Sequence, residues 1–141
     1  MYYYSYNCEK LGSIEDINIT RKRVRNLKKN EIRIKILAIG LNYVDYLMIK
    51  GSYQHKNKVP FIPGTEASGI IVEQTYSKKD LINKKVLIHA KNGCFSEEVI
   101  VKIHQIQLLD NTFPILQASC FYSSAITAYV SLVEKAKIKK Y

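Results

Sequence analysis

The sequence holds only three cysteines, Cys8, Cys94 and Cys120, widely spaced and with no Cys-x-x-Cys pair. That spacing excludes a disulfide framework and a cysteine-built structural zinc site. A reducing cytoplasm is the expected compartment. The opening ten residues carry neither the basic nor the apolar region of a secretory signal. No Gly-x-Gly-x-x-Gly run and no Gly-x-x-x-x-Gly-Lys-Ser/Thr run occurs, so the chain has no phosphate cradle of its own. Internal repeats, low-complexity tracts and Gly/Ser linkers are absent as well.

Acidic residues are few. Twelve Asp and Glu face 22 Lys and Arg, giving a net charge of +10. That excess raises a nucleic-acid reading, densest at Arg21, Lys22, Arg23, Arg25, Lys28 and Lys29. Yet arginine, the better fork for phosphates and guanines, numbers only four. A solvated basic face is therefore the expectation, and nucleic-acid binding is disfavoured. From Asn111 to Val133 no charged residue occurs, which calls for a membrane check. Pro114, Gln117, Ser119, Ser123, Ser124, Thr127 and Ser131 put too many polar groups in that run for a lone span in lipid. Ser123, Thr127 and Ser131 recur every four residues, so they form one polar stripe on a helix buried in protein.

With nearly half of its 141 residues apolar, the chain can bury a real core. Tyr2–Tyr6 and Ile14–Ile19 are candidate strands. Glu31–Ile36 alternates strictly, placing its isoleucines inward in a strand that ends at Gly40. Asn42 can cap a helix running to about Lys50, with Gly51 at its C′ position. Residues 52–63 form an irregular loop. Pro63-Gly64 then turns into a strand from Thr65 to Glu73, where Gly69 lets another segment approach closely. Strands follow at 85–90, 95–102 and 105–109, the first two joined by a turn at Asn92-Gly93. Helical periodicity takes over only after Pro114 and continues through Lys137. This order predicts an α+β, mainly β fold: a partly open β-barrel with short helices and a helical exit.

Three stretches carry a family resemblance. Gly40-Leu41-Asn42-Tyr43-Val44-Asp45, continuing to Gly51-Ser52-Tyr53, is similar to a G-x-N-x-x-D-x-x-x-x-x-G-x-Y run. Pro60-Phe61-Ile62-Pro63-Gly64-Thr65-Glu66-Ala67-Ser68-Gly69 resembles P-F-x-P-G-x-E-x-x-G. Thr127-Ala128-Tyr129 resembles the T-A-Y of a helix that leads into a cofactor domain, and Gly93–Glu98 adds weaker agreement. In order and spacing they resemble the medium-chain dehydrogenase/reductase superfamily, within it the zeta-crystallin-type NADPH:quinone oxidoreductases. The resemblance implies a GroES-like catalytic barrel over residues 1–114, and a helical exit over 115–141 toward a Rossmann domain that this chain lacks. Zinc-dependent members place cysteine at the position of Asn42, histidine at Thr65 and a second cysteine near Ser123, so no catalytic zinc is expected.

The implied function is the catalytic part of a zinc-independent, NADPH-dependent quinone or enone oxidoreductase, inactive without its cofactor domain. Asn42 is the first candidate donor toward the nicotinamide or the acceptor carbonyl, a role compatible with capping its helix. Tyr53 covers the substrate, donates to it, or simply packs. Asp45 touches substrate or favours the first turn of its helix by charge. Thr127 contacts the nicotinamide carboxamide or bonds back to the i−4 carbonyl. Glu66 reads as a structural carboxylate, and Cys94, His55, His89 and His104 show no catalytic or metal-ligand spacing. Expected partners are a small-molecule quinone or enone and a separately encoded Rossmann half. Self-association through the exposed final helix is also expected, and membrane insertion is not. The alternative is a non-enzymatic basic binding domain for a protein or nucleic acid, retained from a decayed dehydrogenase.

Overall fold

The computed structural model describes residues 1–75 and 79–139. Among these, β1 (Tyr2–Cys8) and β2 (Ile17–Arg23) form an antiparallel ribbon. A five-stranded antiparallel sheet follows the order β6-β3-β4-β5-β7. Its members are β3 (Glu31–Gly40), β4 (Glu66–Gln74), β5 (Lys85–His89), β6 (Glu98–Lys102) and β7 (Ile106–Leu108). The helices are α1 (Tyr43–Lys50), α2 (Ile115–Ala118) and α3 (Tyr122–Tyr129), the last running into a π-helical turn, Val130–Lys135. The fold is mainly β with short helices and open sheets, as the order of patterns predicts.

β3 organises the large sheet because its alternation feeds two faces. Ile32 and Ile34 are fully buried and join Ala67, Ile71, Val86 and Ile88 in the main core. Each isoleucine or valine among them contributes about 1.5–3 kcal/mol through removal from water. Arg33, on the opposite face, is also buried. Its Nε donates to Glu73 Oε2 at 2.7 Å and a terminal nitrogen donates to the Arg25 carbonyl at 2.6 Å. Gly69 pairs with Ile36 on β3, where a Cβ would lie 2.2 Å from the Lys35 carbonyl oxygen. The expected close approach is there. Residues 95–97 bridge the ribbon to the large sheet: Tyr6 N–H donates to the Phe95 carbonyl at 2.8 Å, and Ile36 N–H to the Glu97 carbonyl at 2.9 Å.

Several local expectations change. Ile14–Asp16 is a short 3-10 turn capped by the Ser13 hydroxyl, and the strand begins at Ile17. Asn92-Gly93 is a turn, with Gly93 at φ 107°, but it joins no hairpin. β5 pairs with β4 and β7, while β6 pairs with β3. The long final helix is broken at residues 119–121, and α3 starts anew at Tyr122. Thr127 and Ser131 are exposed, so the polar stripe is not buried within this chain. No helix among the described residues is long and apolar enough to cross a membrane. Lys140, the last of the basic residues after that run, lies outside the described residues.

Candidate functional site

Three segments meet at the end of β3. Gly40 is required there: a Cβ would sit 2.0 Å from the Ser119 carbonyl oxygen and 2.7 Å from Glu66 Cγ. The chain then turns through extended Asn42, at the N-cap of α1. The Asn42 side chain makes no cap bond. Instead Asp45 Oδ2 accepts from Asn42 N–H at 2.9 Å, and Asn42 Nδ2 donates to Glu66 Oε1 at 2.9 Å. Glu66 opens β4 after the Pro63-Gly64 turn, where Gly64 adopts φ 98° and faces the Phe95 ring.

Glu66 is fully buried, and its other oxygen, Oε2, accepts from Ser123 N–H at 3.0 Å. Ser123 lies in the first turn of α3, where amide N–H groups have no helical partner and attract negative charge. One carboxylate therefore ties the start of α1 to the start of α3. Sequence reading gave Glu66 a generic structural role and missed this double function. The available signal was the carboxylate itself, since a buried charge must find donors.

Beside this junction opens a cleft of about 300 Å³, lined by Val44, Met48, Tyr53, His55, Asn57, Thr65, Ala90, Lys91 and Ser123. A hollow of about 350 Å³ shares Thr65, Ala90, Lys91 and Ser123 with it and extends to His89, His104 and Tyr122. The two form one groove along the start of α3. A larger hollow of about 430 Å³ lies between the ribbon and β3, walled by Tyr4, Leu37, Ile39 and Phe95. None of the predicted site residues lines it.

The electrostatics follow from burial. Asp45 is fully buried, and desolvation raises its carboxyl above the ordinary value. The Asn42 N–H and the nearby Thr65 hydroxyl and N–H oppose that rise, and the Glu66 charge adds to it. Asp45 Oδ1 and Thr65 Oγ1 are both buried with no other partner, so the Thr65 hydroxyl proton is directed at the Asp45 carboxyl. The buried Cys94 thiol is pushed up to about 12, first by burial and then by Asp45 and Glu66, so it is no nucleophile. His89 stacks flat on Tyr122 with ring centroids 4.4 Å apart, and burial followed by the His104 charge lowers its pKa.

The sequence-predicted residues occupy different depths of one neighbourhood. Tyr53 lines the cleft and packs against the small core of Cys8, Met48, Ile49 and Phe61. Asp45 sits beneath, closed to solvent. Thr127 is exposed on α3, its hydroxyl donating to the Ser123 carbonyl at 2.7 Å. Asn42, Glu66, Ser123 and Thr127 thus form one hydrogen-bonded path. Sequence reading also missed Thr65, Asn57 and Lys91. Among the described residues no three His, Cys, Asp or Glu side chains gather as a metal cluster. In the basic cluster, Arg21 stacks on the Tyr2 ring at 4.2 Å and Arg25 grips Glu31 through two nitrogens at 2.6 and 3.0 Å.

Residues 28–111 match the family described as the alcohol dehydrogenase GroES-like domain. The quinone oxidoreductase-like protein 2 homolog of Nematostella vectensis is 31% identical over 143 residues, covering 97% of this chain and 38% of that protein. The crystal structure of the human synaptic vesicle membrane protein VAT-1 homolog-like protein superposes with a TM-score of 0.91 at 25% identity, over 99% of this chain and 46% of that one. Escherichia coli quinone oxidoreductase, solved with NADPH, superposes with a TM-score of 0.85 at 23% identity, over 94% of this chain and 41% of that one. The chain thus spans less than half the length of each of these proteins. It belongs to the alcohol dehydrogenase GroES-like domain family, and its relatives include quinone oxidoreductase-like proteins.

Proposed function

We propose that this chain is the catalytic part of a zinc-independent, NADPH-dependent quinone or enone oxidoreductase. Residues 115–141 are its exit segment toward a nucleotide-binding domain, without which it is inactive. The observation that carries this reading is the donor set around Glu66. Asn42, Thr65 and Ser123 offer an amide and two hydroxyls, which are poor zinc ligands but good hydrogen-bond donors.

Reducing a quinone or enone builds negative charge on an oxygen and needs no hydroxyl proton removed, so fixed donors can replace a metal. Of the two N–H bonds on Asn42 Nδ2, Glu66 holds one, leaving the other for an acceptor oxygen. The Tyr53 hydroxyl is the second donor, and Val44 and Met48 supply an apolar wall that excludes water. In this reading Asp45 acts on the substrate only through Asn42, by fixing its backbone. Thr127, one turn beyond Ser123, borders the place for a carboxamide.

The cleft residues fit the nicotinamide end of NADPH: the apolar Val44 and Met48 stand beside the polar Asn57 and Ser123. When bound, that cofactor supplies the hydride. Its phosphates and adenosine find no cradle in this sequence, so the isolated chain should not bind NADPH with sub-micromolar affinity. A reducing cytoplasm suits the free thiols of Cys8, Cys94 and Cys120.

The test joins this chain to the remaining length of the Nematostella relative and follows NADPH consumption with a quinone. Quinone-dependent consumption by the joined protein, and none by the chain alone, is the expected result. A folded joined protein that oxidises no NADPH would refute the reading.

A further inference from the structure

The loop at residues 52–63 carries a polar group that the proposed reaction leaves unused. Asn57 lines the same cleft as Tyr53 and Thr65. Its Oδ1 accepts from Asn92 Nδ2 at 3.0 Å, while its own Nδ2 is buried and has no hydrogen-bond partner. Thr65, also on this cleft, turns its one hydroxyl proton toward the buried Asp45 carboxyl. Buried donors are nearly always paired, so an unpaired one on a cleft marks a place where a ligand acceptor can sit.

The amide is also aimed. Rotating it alone by half a turn, with Asn92 in place, would break the bond from Asn92 and bring two NH₂ groups together. The backbone beside Asn92 is held, because Gly93 N–H donates to the carbonyls of Ile62 at 2.8 Å and Pro63 at 3.2 Å. The Asn92-Gly93 turn, which closes no hairpin, clasps the substrate-side loop instead.

We propose that Asn57 is a substrate-recognition residue, whose Nδ2, aimed by Asn92, donates to a neutral carbonyl oxygen of the bound acceptor. Asn92 is its positioning residue. This inference rests on the cleft being the carbonyl site, and it adds which donor selects the ligand. Two ligands present such an oxygen, a quinone and the carboxamide of nicotinamide. The quinone is favoured because Asn57 sits on the 52–63 loop with Tyr53, whereas Ser123 and Thr127 border the α3 side.

The experiment titrates the ¹⁵N-labelled chain with tetramethyl-1,4-benzoquinone, whose methylated ring resists thiol addition, and separately with nicotinamide. Side-chain amide and backbone resonances report binding. The quinone is expected to shift the Asn57 amide pair, and N57A is expected to weaken its binding about tenfold. N57D keeps the acceptor that Asn92 uses, removes the donor, and should weaken binding as much. N92A should weaken binding several-fold in the wild-type background and not at all beside N57A, because Asn92 acts only through Asn57. Quinone binding that shifts Tyr53 and Ser123 but is unchanged in folded N57A and N57D overturns this inference alone. An Asn57 shift with nicotinamide only also overturns it. A quinone that shifts no cleft resonance overturns both this inference and the proposed function.

Discussion

Glu66 is the residue on which the site turns, because each of its oxygens holds a donor from a different helix. Glu66→Gln replaces one acceptor with an NH₂ group facing a donor, and a buried polar group left unpaired costs about 1–3 kcal/mol. Urea denaturation should show a loss in that range, and unchanged stability would contradict the clamp. His89 has a measurable consequence of its own. Burial holds its folded pKa below the ordinary 6.5, so below that pH the unfolded chain takes up the proton more readily. Its contribution to stability is therefore intact at neutral pH and falls as pH drops through about 6.5 and below. His89→Gln should flatten that part of the stability curve between about pH 7.5 and about pH 5.5 when the two chains are compared by denaturation.

At the scale of elements, what could be read from sequence was what local patterns decide. The alternation of β3, the extent of α1 with Gly51 at its left-handed C-cap, and the tight contact at Gly69 all follow from residue type and spacing. Gly69→Ala drives a Cβ into the Lys35 carbonyl. The overpacking cost should reach the upper end of about 1–3 kcal/mol. Thermal unfolding measures it. Strand partners were not legible, because Asn92-Gly93 is a turn either way. It takes the register of Ile32 with Val101, and of Ala67 with Ile88, to send β6 and β5 to opposite sides of the β3–β4 pair. The break after α2 was hidden for a similar reason. Ser119 packs its carbonyl against Gly40, Glu66 takes the freed Ser123 N–H, and both contacts come from strands far away in sequence. The candidate site was half legible. Asn42 and Tyr53 lie in motifs, whereas Asn57 and Thr65 acquire meaning only when the 52–63 loop folds against β4 and the Asn92 turn.

For the molecule as a whole, one uncovered apolar surface among the described residues is the back of its last helix. Ile126, Tyr129, Leu132 and Val133 are 46%, 55%, 50% and 46% exposed on α3 and the π-helical turn that follows. Apolar faces of this kind are covered in stable proteins. We expect the nucleotide-binding domain to cover this one, and the isolated chain to self-associate through it as concentration rises. Sedimentation should reveal oligomers that Ile126→Asp with Leu132→Lys disperses; a monomer at all concentrations would contradict the expectation. The most direct test of the central claim, a carbonyl-reducing site built from hydrogen-bond donors and no metal, is turnover of the joined protein with a strong chelator present. The rate should be indifferent to the chelator, and kcat should fall about a hundredfold or more when Asn42 is changed to Ala. Activity that collapses with the chelator and returns with added zinc would contradict it.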